Sequence, residues 1–409
     1  MDRQMTLFDF TREPVSITKP IRLIELFAGY GSQAMALKRI GAKFEHYKVI
    51  EFDKYAIASY NAVHGTDFHT MDITKVHAED LNICDTEVFT YLLTYSFPCT
   101  DLSVAGKQAG MSKGSGTRSG LLWEVERILT EIRDNHGELP QILFMENVPQ
   151  VHGNKNIDDF KKWLEFLESL GYTNYWQDLN AKNYGVVQNR NRCFMFSFLG
   201  NYSYNFPTAI PLEKKLKDYL EDNVDEKYYI NNEKAEKLIK QLIDNGTLSQ
   251  HNPGRQICVD GTINRPKQRE IVNCIKARYD AGISNLQSSG SLIVGSIYTE
   301  VSDRFQKGII KSGISRCVKA EKHDLGVIMS NCITSVQKDN LTIENPEYRI
   351  RKLTPRECGR LMGVSDEDIT KMTAVNSNTQ LYKQFGNSIV VDIMCAMFEN
   401  LNINQGGTV

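Results

Sequence analysis

IRLIELFAGYGSQAMALKRIG, residues 21–41, decides how this chain folds. A short apolar run, Ile21 to Leu26, meets a turn carrying Gly29 and Gly31, and a helical pattern follows that ends on Gly41. Strand, glycine turn and helix open a parallel α/β unit. The same grammar repeats downstream. KVIEFD (48–53) reads as a second strand, with a helix through KYAIASYNAV (54–63). VFTYLLTYSF (88–97) reads as a third strand, and LLWEVERILTEIRD (121–134) as an amphipathic helix. QILFMENV (141–148) and RCFMFSF (192–198) add two more strands. Runs this short, bounded by Gly and Pro, suit central strands buried on both faces. The predicted class is α/β with a Rossmann-like sheet.

The 409 residues leave room for two or three domains. A 41% hydrophobic and 24% charged composition excludes wholesale disorder. No apolar run reaches the ~18 residues of a membrane span, and MDRQMTLFDFTREP (1–14) has no secretory h-region. A cytoplasmic protein is expected. None of the nine cysteines is paired as C-x2–4-C, so reduced thiols and no metal site are expected. Residues 1–20 read as a loose arm and 21–205 as a first domain. After Phe206-Pro207, residues 212–247 look charged and helical, and from about 251 short strands are broken by Gly, Asn and Asp. A small, mostly β domain is therefore expected over 206–365, with helices of 366–409 returning to the first domain. The net charge of −2 argues at first against a nucleic-acid partner.

Phe27, Gly29, Gly31 and Ser32 form the glycine turn, where backbone N–H groups can approach a ligand closely. The spacing is F-x-G-x-G, not the dinucleotide fingerprint G-x-G-x-x-G. Glu51 ends the second strand about 20 residues on, where an acid can hold ribose hydroxyls. Asp72 could accept from an adenine amino group, with Phe52 and Ile73 covering the ring faces. Taken singly, each has a plain structural reading: a strand–helix turn, a cap acid, a helix cap. Their order in one βαβ series favours a cofactor site.

Cys99 sits in TYSFPCTDLS, on a proline turn at the carboxyl end of a strand, where sites of parallel sheets gather. A cysteine so placed before a Gly/Ser-rich loop is a candidate nucleophile. That loop, running to Gly120, reads as a lid over a polyanion or as plain surface. Glu146, with Asn147 beside it, ends a wholly apolar run; partial burial would let it donate a proton near neutral pH. Gln188, Arg190 and Arg192 alternate, which puts them on one face as an oxyanion or phosphate clamp.

In this order the blocks resemble the DNA cytosine-5 methyltransferases of bacteria and phages. The matching stretches are FAGYGS (27–32), IEFD (50–53), DIT (72–74), SFPC (96–99), ENV (146–148), QNRNR (188–192), RKLTPRECGRLMG (351–363) and YKQFGNSIVVDI (382–393). The resemblance implies the fold of S-adenosylmethionine-dependent methyltransferases with a target-recognition domain, DNA lying in the cleft. It implies transfer of methyl from S-adenosylmethionine to C5 of a flipped-out cytosine in duplex DNA. Cys99 would add to C6, Glu146 contact N3 and the amino group, Arg192 bind O2, and Arg190 support Cys99 and Glu146. Asn147 would position the Pro98–Cys99 turn, and Leu121, Asn387 and Ser388, with Pro98, would complete the cofactor pocket. Ser103 and Arg118 would lie on the closing loop. A monomer is implied, with a cognate restriction endonuclease as a transient partner at most. LLTYSFPC and GSGTRSGLLWEVER look closest to CG-type enzymes.

Two departures stand out. Thr100 replaces the usual Gln, and Ser96 the usual Gly two before the Pro; these bear on loop roles rather than bond-making. The resemblance fades over about 205–350. There Arg255, Arg265, Arg269, Arg304, Gln306, Lys307 and Arg316 are candidate base readers, since Arg to guanine is the commonest specific contact. For any one of them a phosphate contact or a solvated side chain is the commoner fate. Thr334 resembles the family's backbone-approaching threonine. A tRNA cytosine methyltransferase shares the catalytic blocks, an inactive DNA-binding relative would lack some of them, and a nicotinamide oxidoreductase would need the missing third glycine. Charge distribution now reverses the first impression. Residues 251–360 hold 18 Lys+Arg against 11 Asp+Glu, while the rest holds 30 against 39. The positive charge is concentrated where DNA would be read.

Overall fold

The computed structural model describes residues 12–99, 101–102, 109–230, 232–248, 257–260, 268–275, 291–296 and 348–403. The chain divides into two compact units. One comprises Met1–Lys215, Cys274–Arg278 and Cys358–Val409, and the other Leu216–Asn273 and Tyr279–Glu357. The first unit thus runs past residue 205, reclaims a short piece around Cys274, and takes the C-terminal stretch from Cys358 rather than from 366.

The first unit begins with β1 (Glu13–Pro14), β2 (Ile21–Leu26), α1 (Ser32–Arg39), β3 (Phe44–Ile50), α2 (Lys54–His64), α3 (Ala78–Leu81) and β4 (Thr90–Tyr95). It continues with α4 (Leu122–Asp134), β5 (Ile142–Asn147), α5 (Ile157–Ser169), β6 (Tyr172–Asn180), β7 (Gln188–Asn189), β8 (Asn191–Leu199) and β9 (Tyr202–Ser203). Six strands make the main sheet, in the order β3-β2-β4-β5-β8-β6. The pairs β2–β3, β2–β4 and β4–β5 are parallel, whereas β8 runs antiparallel to both β5 and β6. The order reverses at β2, between β3 and β4, and the carboxyl ends beside such a switch point form a crevice.

Every residue of β4 and β5 is buried, which explains their unbroken apolar reading. On one face Tyr91, Leu93, Tyr95, Leu143, Met145 and Met195 pack with Leu122, Val125 and Ile128 of α4 and Phe160 and Trp163 of α5. On the other, the rings of Phe144 and Phe196 meet Phe398 from the helix Val391–Glu399. Full burial of each such side chain is worth about 1.5–3 kcal/mol. The helix Val391–Glu399 thus packs on the main sheet, and Cys358–Val409 belongs to the first unit. Among the described residues no helix is long and apolar enough to cross a membrane.

In the second unit an antiparallel sheet has the order Tyr229–Ile230, Tyr348–Lys352, Ser291–Ser296, Ile257–Asp260, Gln268–Arg269. One helix, α6 (Glu233–Asp244), lays Ala235, Leu238 and Leu242 on Val259, Leu292, Val294 and Ile350. A buried Arg351–Glu357 pair, 2.8 and 2.9 Å, ties the last strand to the residues that follow.

Three expectations need correction. The described part of the N-terminal arm is not loose: β1 pairs parallel with β9, and Val15 and Ile17 are buried. Those two side chains alternate along an extended segment, so one face of it is apolar. Over 212–247 only Glu233–Asp244 is an α-helix; the first half forms short 3-10 turns at Leu216–Tyr219 and Glu226–Tyr228. Leu212, Leu216, Tyr219 and Leu220 keep helical spacing, but only Tyr219 is buried and Leu212 is exposed, so that stripe has little to pack against and does not hold a helix. The expected second strand starts earlier, at Phe44, and stops at Ile50, leaving Glu51 in the connection.

Beneath the glycine turn lies a buried carboxyl. Glu25 accepts a 2.5 Å hydrogen bond from the Tyr60 hydroxyl, which also meets His46 Nδ1 at 2.7 Å. Burial pushes the Glu25 carboxyl up to about 7. A carboxyl raised in the folded chain contributes stability in its protonated form, complete below the unfolded value and lost as pH rises through the folded one. Relative to Glu25→Gln, the wild-type chain should lose about 3 kcal/mol of stability between about pH 4 and about pH 8. Denaturant unfolding of both proteins across that range measures it; parallel stability curves would exclude a buried ionisation here.

Candidate active site

The ends of four strands and the start of a fifth build the site. After β2 the backbone turns sharply, with Phe27 at φ 59°, Gly29 at 58° and Gly31 at 80°. A left-handed Phe is uncommon and costs of order 1–3 kcal/mol. Gly31 has no room for a side chain, since a Cβ would stand 2.4 Å from His64 Nε2 and 2.6 Å from the Tyr60 ring. Gly29 differs: a Cβ there would meet nothing within 4 Å. That open space is what close backbone approach to a ligand needs. Ser32 is buried at the start of α1 and its hydroxyl bonds Gln33.

Glu51 locks this turn to the end of β3. Its carboxylate accepts from Gly29 N at 3.0 Å and Asp53 N at 2.8 Å, and burial raises its pKa above the usual carboxyl value. Phe52 beside it is 72% exposed, whereas Ile73 is buried. Asp72 is exposed and caps the turn Ile73–Lys75 through Thr74 N and Oγ1, at 3.0 and 2.9 Å. A desolvated carboxylate, an uncovered aromatic ring and a glycine cradle fit a ligand with an aromatic ring and a diol. Leu121 packs against the core before α4, and Asn387 and Ser388 end the helix Asn378–Asn387.

Cys99 follows β4 on its proline turn. Asn147 Nδ2 donates to Phe97 O at 3.0 Å, while its Oδ1 accepts from Val148 N at 2.8 Å. Ser119 Oγ donates to Pro98 O at 2.7 Å. The two peptides on either side of Pro98, which lead into Cys99, are thus clamped from two directions. Asp101 accepts from Arg118 N at 2.8 Å and Ser119 N at 3.3 Å. Thr117 Oγ1 donates to Gly110 O at 3.1 Å, and Met111 is buried. The glycine-rich lid expected up to Gly120 is therefore anchored over 109–120. Arg118 is exposed at its foot.

Because β8 runs antiparallel, its first residues arrive where β5 ends. Arg192 Nε stands 3.1 Å from Glu146 Oε1. Burial pushes the Glu146 carboxyl up, against the opposing pull of Arg192 and Arg190. The Cys99 thiol is also pushed up by burial; Arg192 and Arg190 oppose the shift and Glu146 adds to it. These charges make thiol, carboxyl and guanidinium one electrostatic cluster.

Gln188 and Arg190 depart from the expected clamp. The run 188–192 breaks at Arg190 between β7 and β8, and both side chains are buried. Gln188 bridges Leu361 O and Ile275 N, at 2.9 and 3.2 Å. Arg190 donates to Ile275 O and Gly386 O at 3.1 Å each, to Cys274 Sγ at 3.1 Å, and to Ser388 O. A guanidinium whose two terminal nitrogens are held by carbonyls at a helix C-terminus is a structural cation, acting on Cys99 and Glu146 through its field. Cys274 went unnoticed as a site residue, since nothing in its spacing marks it. Of the candidate base readers only Arg269 is described, on an exposed edge strand. Ser103, Arg255, Arg265, Arg304, Gln306, Lys307, Arg316 and Thr334, and also Thr100, lie outside the described residues.

The family model for C-5 cytosine-specific DNA methylase matches residues 21–402. A type II methyltransferase of Lactococcus lactis, M2.ScrFI, is 30% identical over 94% of this chain and all of its own length. An orphan methyltransferase of Bacillus phage SPbeta is 28% identical over 93% of this chain and 97% of its own. Among solved structures, a methyltransferase of Entamoeba histolytica shares the fold, with a TM-score of 0.59 at 17% identity, covering 94% of this chain and 98% of its own.

The signs of the Cys99 environment set its reactivity. With the thiol above its ordinary value, alkylation at Cys99 should keep accelerating beyond the pH where an exposed cysteine levels off. Arg192→Gln removes the leading opposing charge and should slow the reaction further, whereas Glu146→Gln should speed it. Site-resolved mass spectrometry of iodoacetamide labelling over a pH series reads this; the reverse order of the two variants would contradict the assigned cluster.

Proposed function

This chain belongs to the C-5 cytosine-specific DNA methylases and is a DNA cytosine-5 methyltransferase; we propose that it acts on a flipped-out cytosine through a covalent bond between Cys99 Sγ and C6. The reading rests on one observation, the cluster of Cys99, Glu146 and Arg192 at the strand ends. C5 of cytosine is a poor nucleophile, and the ring face at C6 that the thiolate must attack is covered by stacked neighbours, so the base must leave the helix. Addition of the Cys99 thiolate at C6 pushes electron density onto C5. A buried carboxyl with a raised pKa can share a proton with N3 as that density develops, so Glu146 takes the acid role. Arg192, its planar fork already beside Glu146, supports the exocyclic carbonyl oxygen O2. Arg190 acts as a fixed positive charge behind both.

S-adenosylmethionine, when bound, supplies the electrophilic methyl group. Glu51 suits its ribose hydroxyls, Asp72 its adenine amino group, and Phe52 and Ile73 the ring faces, with Gly29 admitting close approach. Loss of the C5 proton to water and cleavage of the sulfur–C6 bond return Cys99 to its starting state. The enzyme is proposed to work as a cytoplasmic monomer, the second unit reading a short sequence. The likeness of LLTYSFPC and GSGTRSGLLWEVER to CG-type enzymes makes a CG-containing site the first to test.

Incubation with methyl-tritiated S-adenosylmethionine and mixed-sequence duplex DNA should place label on cytosine C5. Glu146→Gln should lower the rate about 10²–10⁴-fold, and Cys99→Ser should abolish transfer. Duplex DNA should outcompete tRNA in the same assay. Full labelling by Cys99→Ser would overturn the covalent route, and preference for tRNA would overturn the substrate.

A further inference from the structure

Three ionisable side chains outside the methyl-transfer cluster converge in the first unit. His152 ends the 3-10 turn Pro149–His152 that follows β5, Asp178 is on β6, and Cys193 is on β8. One ligand atom from each lies within 4.8 Å of the others, and His152 Nε2 is 2.9 Å from Asp178 Oδ1.

Backbone register, and not rotamer choice alone, brings two of the three together. Asp178 and Cys193 are direct cross-strand partners, so their side chains leave the same face of the sheet. Glu146 pairs with Phe194. By alternation the Cys193 side therefore faces away from Glu146 and Arg192. The His152 ring is held against Trp176 and Phe160, with centroids 4.8 and 6.1 Å apart. The site is a short funnel. The side chains of His152 and Asp178 are 22% and 31% exposed at its mouth, and Cys193 is buried at its floor.

The chemistry of the donors is also informative. Imidazole nitrogen, carboxylate oxygen and thiolate sulfur form a mixed set that suits a borderline divalent ion such as zinc, with water in a fourth position. Metal binding would displace the thiol proton.

We propose that His152 Nε2, an Asp178 carboxylate oxygen and Cys193 Sγ bind one zinc-type divalent metal ion, at a site separate from the methyl-transfer chemistry. Binding replaces the His152–Asp178 hydrogen bond and the S–H bond with three metal–ligand bonds; the imidazole proton shifts from Nε2 to Nδ1 and the thiol proton is released to solvent. The ion would pin the turn after β5 to β6 and β8.

The test uses the full-length chain, stripped with chelator and titrated with Co²⁺ as a coloured zinc substitute. One ion per chain should bind with a thiolate-to-cobalt charge-transfer band, and Zn²⁺ should bleach that band by displacement. Cys193→Ser should abolish the band. His152→Ala and Asp178→Asn should each weaken binding at least about tenfold. Cys99→Ser and Cys274→Ser should leave it intact. Unfolding midpoints of the metal-free variants show that they fold, and the half-exposed Asp178 keeps the test open should Cys193→Ser fail to. Zn²⁺ should raise the midpoint of the wild-type chain and not that of Asp178→Asn. Absence of a band, a band that survives Cys193→Ser, or one lost in Cys99→Ser would overturn the site.

Discussion

The contact between Glu146 and Arg192 depends on a reversal of chain direction. Five strands of the sheet run in one direction and deliver their carboxyl ends to one edge; β8 runs the other way and begins at that edge. Arg192 thereby reaches Glu146 at 3.1 Å without any long loop. A fully parallel sheet would have put the start of β8 at the far side. The acid is buried, and burying a carboxyl without a partner is costly. Arg192 supplies the partner, and the balance leaves the carboxyl protonatable rather than fixed as an anion. Cys99 is tied to the same balance, since the two arginines and Glu146 act on its thiol in opposite senses.

The rest of the site is built to hold this cluster still. Asn147 and Ser119 clamp the two peptides flanking Pro98, just before Cys99. Arg190 is committed to carbonyls at Ile275, Gly386 and Ser388, so its charge stands at a fixed place whatever enters the site. At the cofactor end, Glu51 stitches the left-handed turn of Phe27–Gly31 to β3. Phe52 and Asp72 are left open. Rigid donors with one uncovered aromatic surface describe a site organised before its ligand arrives.

Legibility in the sequence followed burial. β4 and β5 read as strands because both faces are covered, leaving unbroken apolar runs. β6, YTNYWQDLN, escaped notice because an edge strand carries mixed polarity and exposes Trp176 and Gln177. The helix Ile157–Ser169 was missed although Phe160, Trp163 and Leu167 keep helical spacing; its charged first turn reads as loop. Cys99 and Glu146 were visible as strand-end residues with the wrong polarity for their surroundings. The work Arg190 does was not, because its partners come from 275, 386 and 388, which no local pattern connects. His152, Asp178 and Cys193 are invisible for the same reason: three elements contribute one ligand each.

The central claim, that Cys99 bonds the target base with Glu146 and Arg192 in attendance, is tested most directly by blocking the final proton loss. A duplex carrying 5-fluorocytosine throughout one strand has no C5 hydrogen to lose, so an adduct formed during methyl transfer cannot eliminate. In the presence of S-adenosylmethionine the wild-type chain should form a denaturation-resistant complex whose digested peptide is linked to DNA at Cys99. Linkage at Cys274, or active methyl transfer to ordinary cytosine with no trapped complex on the fluorinated strand, would contradict it.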